Sequence, residues 1–385
     1  MQRRSFLGAA LAAAPLARAW AQAPGAWPKA PVSVAFDFVQ ERRILVPISI
    51  GGRPAEAWLD TGSSGSVVDL NFARALGLPL GEPVRAAGVS GQVAGARLIQ
   101  APLVVAGLAM PARPLAAMDL SAVSEQSPRP VQVILGRELF DAAVVDIDFA
   151  ARRLTLTARQ AFRPPGGPVT PLGRAGGLRT VPVVLDGVAT PALFDIGNTG
   201  ALLVERSYAE AHGLMAGRRV STQLAIGADG AHEQPVLSLA QVRLGGVRFR
   251  DVPAVAASGL AARAPANVGL DLLSRFRLTI DFAGDRLWLA PDRAAAEAPF
   301  RRNRSGLSVT LDVDRLVVAH VAPGSPAAAA GWRSGELITA IDGHPIDADY
   351  QSGPVAHWSE GPAGETVSLA LAGGAMRRLQ LADYY

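Results

Sequence analysis

The chain repeats itself, and the repeat ends twice on an aspartate. Val46-Pro47-Ile48-Ser49-Ile50 runs through Gly51-Gly52 to Ala57-Trp58-Leu59-Asp60-Thr61-Gly62. Val181-Pro182-Val183-Val184-Leu185 runs through Asp186-Gly187 to Ala192-Leu193-Phe194-Asp195-Ile196-Gly197, without a gap, at an offset of 135 residues. Each block reads as a β-hairpin whose second strand is continuously apolar and stops at a tight glycine turn. Each continues into another apolar run, Ser66-Val67-Val68 and Ala201-Leu202-Leu203-Val204. A later block, Ile134-Leu135-Gly136-Arg137-Glu138-Leu139-Phe140, matches Asn267-Val268-Gly269-Leu270-Asp271-Leu272-Leu273 at an offset of 133. The ends, Ile147-Asp148-Phe149 with Arg153-Leu154-Thr155-Leu156 and Ile280-Asp281-Phe282 with Arg286-Leu287-Trp288-Leu289, keep that offset. Offsets this close mean one lobe of about 120 residues used twice, joined near Arg163-Pro164-Pro165-Gly166-Gly167-Pro168. Forty Gly and 29 Pro in 385 residues add many turns, so the fold is mainly β.

An aspartate at the end of an apolar strand is costly to bury alone. The plainer reading makes Asp60 and Asp195 turn-capping residues, but their apolar approaches and equivalent places argue that the two meet. Two carboxylates about 3 Å apart cannot both ionise and so share a proton. The ionised one takes a proton from a bound water, which attacks a carbonyl. The protonated one stabilises the oxyanion and helps protonate the leaving amine. Such a pair titrates as a unit. Asp148 and Asp281 also repeat, but each precedes an arginine-bearing turn and reads as structural. Strand alternation makes Trp58 and Phe194 core residues rather than substrate contacts.

Other chemistries find little support. There is no Cys, the lone lysine is Lys29, and no Gly-x-Ser-x-Gly turn occurs. His212, His232, His320, His344 and His357 never fall at metal-ligand spacing, so neither metal nor cofactor is expected. The charge is 37 basic against 33 acidic residues. No basic run interleaves with aromatics, which argues against nucleic acid, and Arg301, Arg302 and Arg304 read as a solvated face in a linker.

Leu59-Asp60-Thr61-Gly62-Ser63-Ser64 resembles the N-lobe catalytic turn of pepsin-like aspartic proteases. Ile134-Leu135-Gly136 and Val268-Gly269 resemble the apolar-apolar-Gly segments that pack beneath each catalytic loop in pepsins and retropepsins. The short lobes, and a first flap (Ala87 to Ala96) with Gly88-Val89-Ser90-Gly91 at its tip and no tyrosine, are nearer the retropepsins. The resemblance covers about Val34 to Leu289. It implies two homologous acid-protease lobes of closed β-barrel type, over 34–160 and 168–292, with Asp60 and Asp195 catalytic. It places Thr61, Gly62, Ser63, Gly197, Asn198, Gly136 and Gly269 around the dyad, and Gly88, Ser90 and Gly91 on the flap. Ser63 and Asn198 would hydrogen-bond the outer carboxylate oxygens and favour an acidic working range. The second turn departs from the family: Ile196 stands where Thr or Ser carries a hydroxyl that braces the dyad.

From about Phe300 the composition changes. Arg304-Ser305-Gly306-Leu307-Ser308-Val309 resembles the carboxylate-binding loop of a PDZ domain entering its peptide-pairing strand. Val321-Ala322-Pro323-Gly324-Ser325-Pro326-Ala327, Gly335-Glu336-Leu337-Ile338 and Ile341-Asp342-Gly343 continue the bacterial PDZ pattern over 300–385. The final strand is expected near Thr366 to Ala372, and the groove-wall helix between Asp347 and Glu360 is interrupted by Gly353-Pro354. The resemblance implies that Gly306, Leu307 and Ser308 receive a peptide tail as an added strand. The alternative is a PDZ fold used only to dock on the lobes.

The first residues, Gln2-Arg3-Arg4-Ser5-Phe6-Leu7, resemble a twin-arginine export signal, followed by an Ala/Leu-rich stretch too short to span a bilayer and by Ala19-Trp20-Ala21. A signal over 1–21 implies a periplasmic or secreted chain with no stable membrane span, and its loss leaves 34 basic against 33 acidic residues. The expected function is endopeptidase cleavage of exported polypeptides in extended conformation. A catalytically weak or inactive peptide-binding protein with the same cleft and PDZ domain is the alternative.

Overall fold

The computed structural model describes residues 12–13, 28–88, 91–110, 113–124, 127–227, 230–260 and 264–385. Most of the segment read as an export signal, and Ser90 of the flap tip, lie outside them.

Each lobe starts from its repeated hairpin. Arg43–Ile50 pairs with Arg53–Leu59, and Leu178–Leu185 with Val188–Phe194. Two-residue turns of this hand need positive φ at both central positions. Gly51 and Gly52 supply φ 57° and 77°, and Asp186 and Gly187 supply 44° and 92°. The last three residues of each hairpin's second strand are apolar and buried, and there the strand gains a partner on its other edge. Val133–Leu135 pairs with it in parallel in the first lobe, and Ala266–Val268 does so in the second. The same short strands pair antiparallel with Val67–Asp69 and Leu202–Glu205. The apolar-apolar-Gly segments are therefore the struts under the two aspartate turns.

In the second lobe a long strand, Gly230–Leu244, pairs with Val247–Ala257 and also returns to Leu178–Leu185, which closes the sheet into a barrel. In the first lobe the equivalent strand is broken at Ala101-Pro102 into Gly91–Gln100 and Leu103–Val105, and the latter makes the return contact. Proline lacks the N–H that a continuous ladder requires. Hairpins Pro83–Gly88 with Gly91–Gln100 and Val220–Gly227 with Gly230–Leu244 rise from the two lobes as flaps.

A six-stranded sheet joins the lobes. Its outer strands are Val32–Ala35 and Val169–Pro171, its next are Arg153–Thr157 and Arg286–Pro291, and its centre is Val144–Asp148 against Phe276–Asp281. The order reads the same from either side under the repeat. Asp146 pairs with Thr279, its own counterpart 133 residues on, so the pseudo-twofold axis passes through that pair. A single apolar core runs through both lobes, with Phe282 packed against Phe140 and Phe194 at 5.4 and 6.3 Å between ring centroids. Asp148 and Asp281 cap turns: Ala151 N donates to one and Gly284 N to the other.

The C-terminal domain has its own core, including Leu316, Val318, Trp332, Ile338, Ile341 and Leu369. Leu307–Asp312 is an edge strand of its sheet. The expected strand near Thr366 to Ala372 is present as Thr366–Leu371, but the final strand is Met376–Gln380, beyond it. Its exposed Met376 and consecutive Arg377 and Arg378 hide the alternation. In place of a groove-wall helix stand two short 3-10 turns, Tyr350–Ser352 and Trp358–Glu360.

The arginine cluster is not the solvated face its composition suggested. The Arg302 side chain is 3% exposed and donates to the Asp251 carbonyl and carboxylate, to Ser238 and to the Tyr385 carbonyl. Arg301 pairs with Asp271 at 3.2 Å and donates to Glu41 O, and Arg304 pairs with Asp383 at 2.7 Å. Arg301 and Arg302 fasten the linker to the lobes and Arg304 ties it to the C-terminal domain, because a guanidinium offers several donors to carbonyls that burial leaves in need of them.

Candidate active site

The two aspartate turns meet at the lobe interface. Asp60 is 5% exposed and Asp195 1%, and their carboxyl groups are hydrogen-bonded to each other. The surroundings follow the twofold. Gly62 N and Ser63 N donate to Asp60 Oδ1 at 2.8 and 3.1 Å, and Gly197 N and Asn198 N donate to Asp195 Oδ1 at 2.8 and 3.1 Å. Each carboxylate also lies over the glycine of the other turn. A Cβ on Gly62 would come within 2.6 Å of the Asp195 carboxylate, and one on Gly197 would overlap that of Asp60. Glycine is needed here for close approach. Gly136 and Gly269 are excluded from other residues for the same reason: a Cβ would strike the backbone of Gly65 and of Gly200.

Thr61 braces the pair from one side. Its hydroxyl donates to Phe194 O at 2.8 Å and accepts from Ile196 N at 3.0 Å. Ile196 is fully buried in the shared core, so the missing hydroxyl is replaced by apolar packing and Thr61 is left with no orphaned group.

Beyond the backbone amides the symmetry ends. Ser63 contributes its amide to Asp60, while its hydroxyl donates to Gly65 O at 2.6 Å. The Asn198 side chain donates to Asn267 Oδ1 at 3.0 Å, and Asn267 Nδ2 donates to the outer oxygen, Asp195 Oδ2, at 2.7 Å. Asn267 was missed in the sequence although it left a signal, as the polar member of an apolar triplet whose counterpart is Ile134.

Arg43 was missed as well. The antiparallel register that places Leu45 opposite Trp58 puts Arg43 opposite Asp60. Its guanidinium donates to Gly197 O and lies over the Trp58 ring at 4.6 Å from the centroid. Burial pushes it down to about 10, with Asp60 and Asp195 pulling the other way, so it stays a cation at neutral pH. Trp58 is buried as expected, yet it also lines the cleft pocket with Arg43, Asp60 and Gly197.

Burial, and then the charge of Asp195, hold Asp60 well above the ordinary carboxylate range, against the opposing pull of Arg43. Asp195 is also raised by burial, opposed first by Asn267 and then by the Gly197 and Asn198 amides. The extra donor on Asp195 favours the charge on that side of the shared-proton pair. The acidic range expected from hydrogen-bond donors is offset by desolvation.

Gly88 and Gly91 face each other across the first flap hairpin. In the C-terminal domain the loop amides have internal acceptors. Ser305 N and Gly306 N donate to Asn303 Oδ1, and Leu307 N donates to Ser305 Oγ. Ser308 Oγ accepts from Leu224 N of the second flap, and the His320 ring meets Thr222 at 2.9 Å. The residues expected to take a tail are thus engaged within the loop or on the neighbouring lobe.

Residues 46–139 and 181–272 match the family model described as Aspartyl protease, and residues 317–372 match that of a PDZ domain. The chain is a bilobal, retropepsin-like member of the aspartyl protease family that carries a C-terminal PDZ domain. No curated protein matches it.

Proposed function

We propose that the chain is an aspartic endopeptidase acting on extended polypeptides outside the cytoplasm. One observation carries the reading: two buried carboxyl groups, joined to each other and each set over the other's glycine, differ in their donors. A water between them gives a proton to Asp195 as its oxygen bonds to the peptide carbonyl carbon. Asp60 donates its hydrogen to the developing oxyanion, and as the C–N bond breaks the departing nitrogen takes the proton from Asp195 while a hydroxyl of the diol returns one to Asp60 as the product carbonyl forms. The flaps cover a chain lying between the lobes. The twin-arginine-like start of the sequence supports export, and the PDZ domain supports docking of a substrate or partner.

The test is cleavage of casein by the purified chain lacking residues 1–21, from pH 3 to 8, beside Asp60→Asn. Turnover lost in the variant, with its fold intact by circular dichroism, is the expected result. Turnover that survives Asp60→Asn, or none from folded wild type at any pH, overturns the reading.

A further inference from the structure

We propose that the cleft pocket beside Asp60 selects a carboxylate on the substrate next to the scissile bond, with Arg43 as the recognising cation. The inference rests on the peptidase reading above and adds a substrate class to it.

The argument begins with broken symmetry. Under the repeat, Arg43 corresponds to Leu178, which is buried at the same register position opposite Asp195. One side of the dyad therefore has an apolar wall and the other a guanidinium. The pocket there is lined by Arg43, Trp58, Asp60, Val123, Ile134 and Gly197. Two of these bring donors. Arg43 holds the Gly197 carbonyl, and that bond uses one of its five N–H groups. Trp58 is 7% exposed and its indole N–H is buried without an acceptor among the described residues. A buried donor without a protein acceptor is costly to leave unpaired, so a ligand oxygen set against it is favoured.

Arg43 already offsets the single negative charge of the proton-sharing dyad, so a substrate carboxylate is selected by the N–H donors it meets there rather than by uncompensated charge. A carboxylate entering the pocket meets a guanidinium and an indole N–H, while Val123 and Ile134 exclude water from the contact. Charge-assisted bonds of this kind are about twice as strong as neutral ones. An apolar side chain at the same place strands both donors, so the pocket rejects it. At the equivalent position of the second lobe stands the buried Leu178, which brings no donor. Two sources fit the chemistry: an Asp or Glu side chain adjoining the cut bond, or the free carboxylate of a chain end.

The experiment measures binding to the full mature chain at pH 6.5. The probes are decapeptides whose central bond is a reduced amide that cannot be hydrolysed. One set varies the residue before that bond as Glu, Gln or Leu. A second set ends just after it, as a free acid or a carboxamide. Glu should bind roughly ten-fold or more tightly than Gln, in line with one charge-assisted bond. Arg43→Leu, which installs the residue of the other lobe, should remove the difference, and Arg43→Lys should keep part of it. If the free acid of the second set is the one that discriminates, the carboxylate comes from a chain end and the recognition stands. Equal binding of Glu and Gln peptides to wild type, with the acid and carboxamide also equal, overturns the proposal, as does a preference that persists in Arg43→Leu. The wild-type comparison needs no variant to fold. Casein turnover without an acidic preference removes this inference alone, whereas an acidic preference without turnover removes the peptidase reading alone.

Discussion

The Thr61 hydroxyl accepts from the backbone amide of Ile196, 3.0 Å away in the opposite lobe, and no side-chain hydroxyl returns the favour from Ile196. One residue thus performs a bracing that twofold symmetry would divide between two. Thr61→Val removes the acceptor for Ile196 N and the donor to Phe194 O in a buried site. It should cost roughly 1–3 kcal/mol in a denaturant titration and abolish peptide turnover. Ile196→Thr supplies the counterpart hydroxyl and should leave turnover at or above the wild-type rate, measured with the same substrate. A loss of turnover comparable to that of Thr61→Val would contradict the one-sided brace.

The pH profile of turnover should be bell-shaped, with both limbs above the ordinary carboxylate value. The two limbs report the first and second ionisations of the pair, and burial raises both. Asn267 stabilises the charged form of Asp195. Asn267→Leu should therefore move the acid limb upward. A limb that stays or moves down would show that Asn267 does not set the ionisation of the pair.

The same burial has a stability consequence. The folded state holds the Asp60 proton more tightly than the unfolded chain does, so stability falls as pH rises from the unfolded value of 3.8 through the raised folded value. Asp60→Asn keeps the shape, needs no proton and escapes that loss. Its melting temperature should exceed that of wild type at pH 7 by on the order of a few degrees, with the gap closing toward pH 4. Equal melting temperatures at both pH values would refute this.

Arg302 is the fastening most open to test. Arg302→Ala removes its contacts with Asp251, Ser238 and the chain end at Tyr385. Limited proteolysis between Asp292 and Arg304 should accelerate by roughly ten-fold or more as the linker opens more often. An unchanged rate would mean that the contacts of Arg301 suffice.

Much of this was written in the chain. The repeat gave the two hairpins, the struts and the aspartate turns, because each rests on local pattern and on a spacing used twice. The glycines were legible for the same reason: a position that admits no Cβ tolerates no other residue. Arg43 and Asn267 were harder, because their roles come from register and from the meeting of lobes rather than from neighbours in sequence. Arg301, Arg302 and Arg304 were misleading, since three charges in a short stretch look like surface until the carbonyls and carboxylates that bind them are in place. The strand Met376–Gln380 was hidden by its exposed edge.

The pairing of Asp146 with Thr279 also bears on how such a chain is made. As the polypeptide leaves the ribosome, Val144–Asp148 waits with one side open until Phe276–Asp281 follows, more than a hundred residues later. Because the pseudo-twofold passes through this strand, its open edge is complementary to a copy of itself as well as to its proper mate. Two unfinished chains can therefore mistake each other for their own second halves. Joining both lobes in one polypeptide makes the correct partner the nearest one.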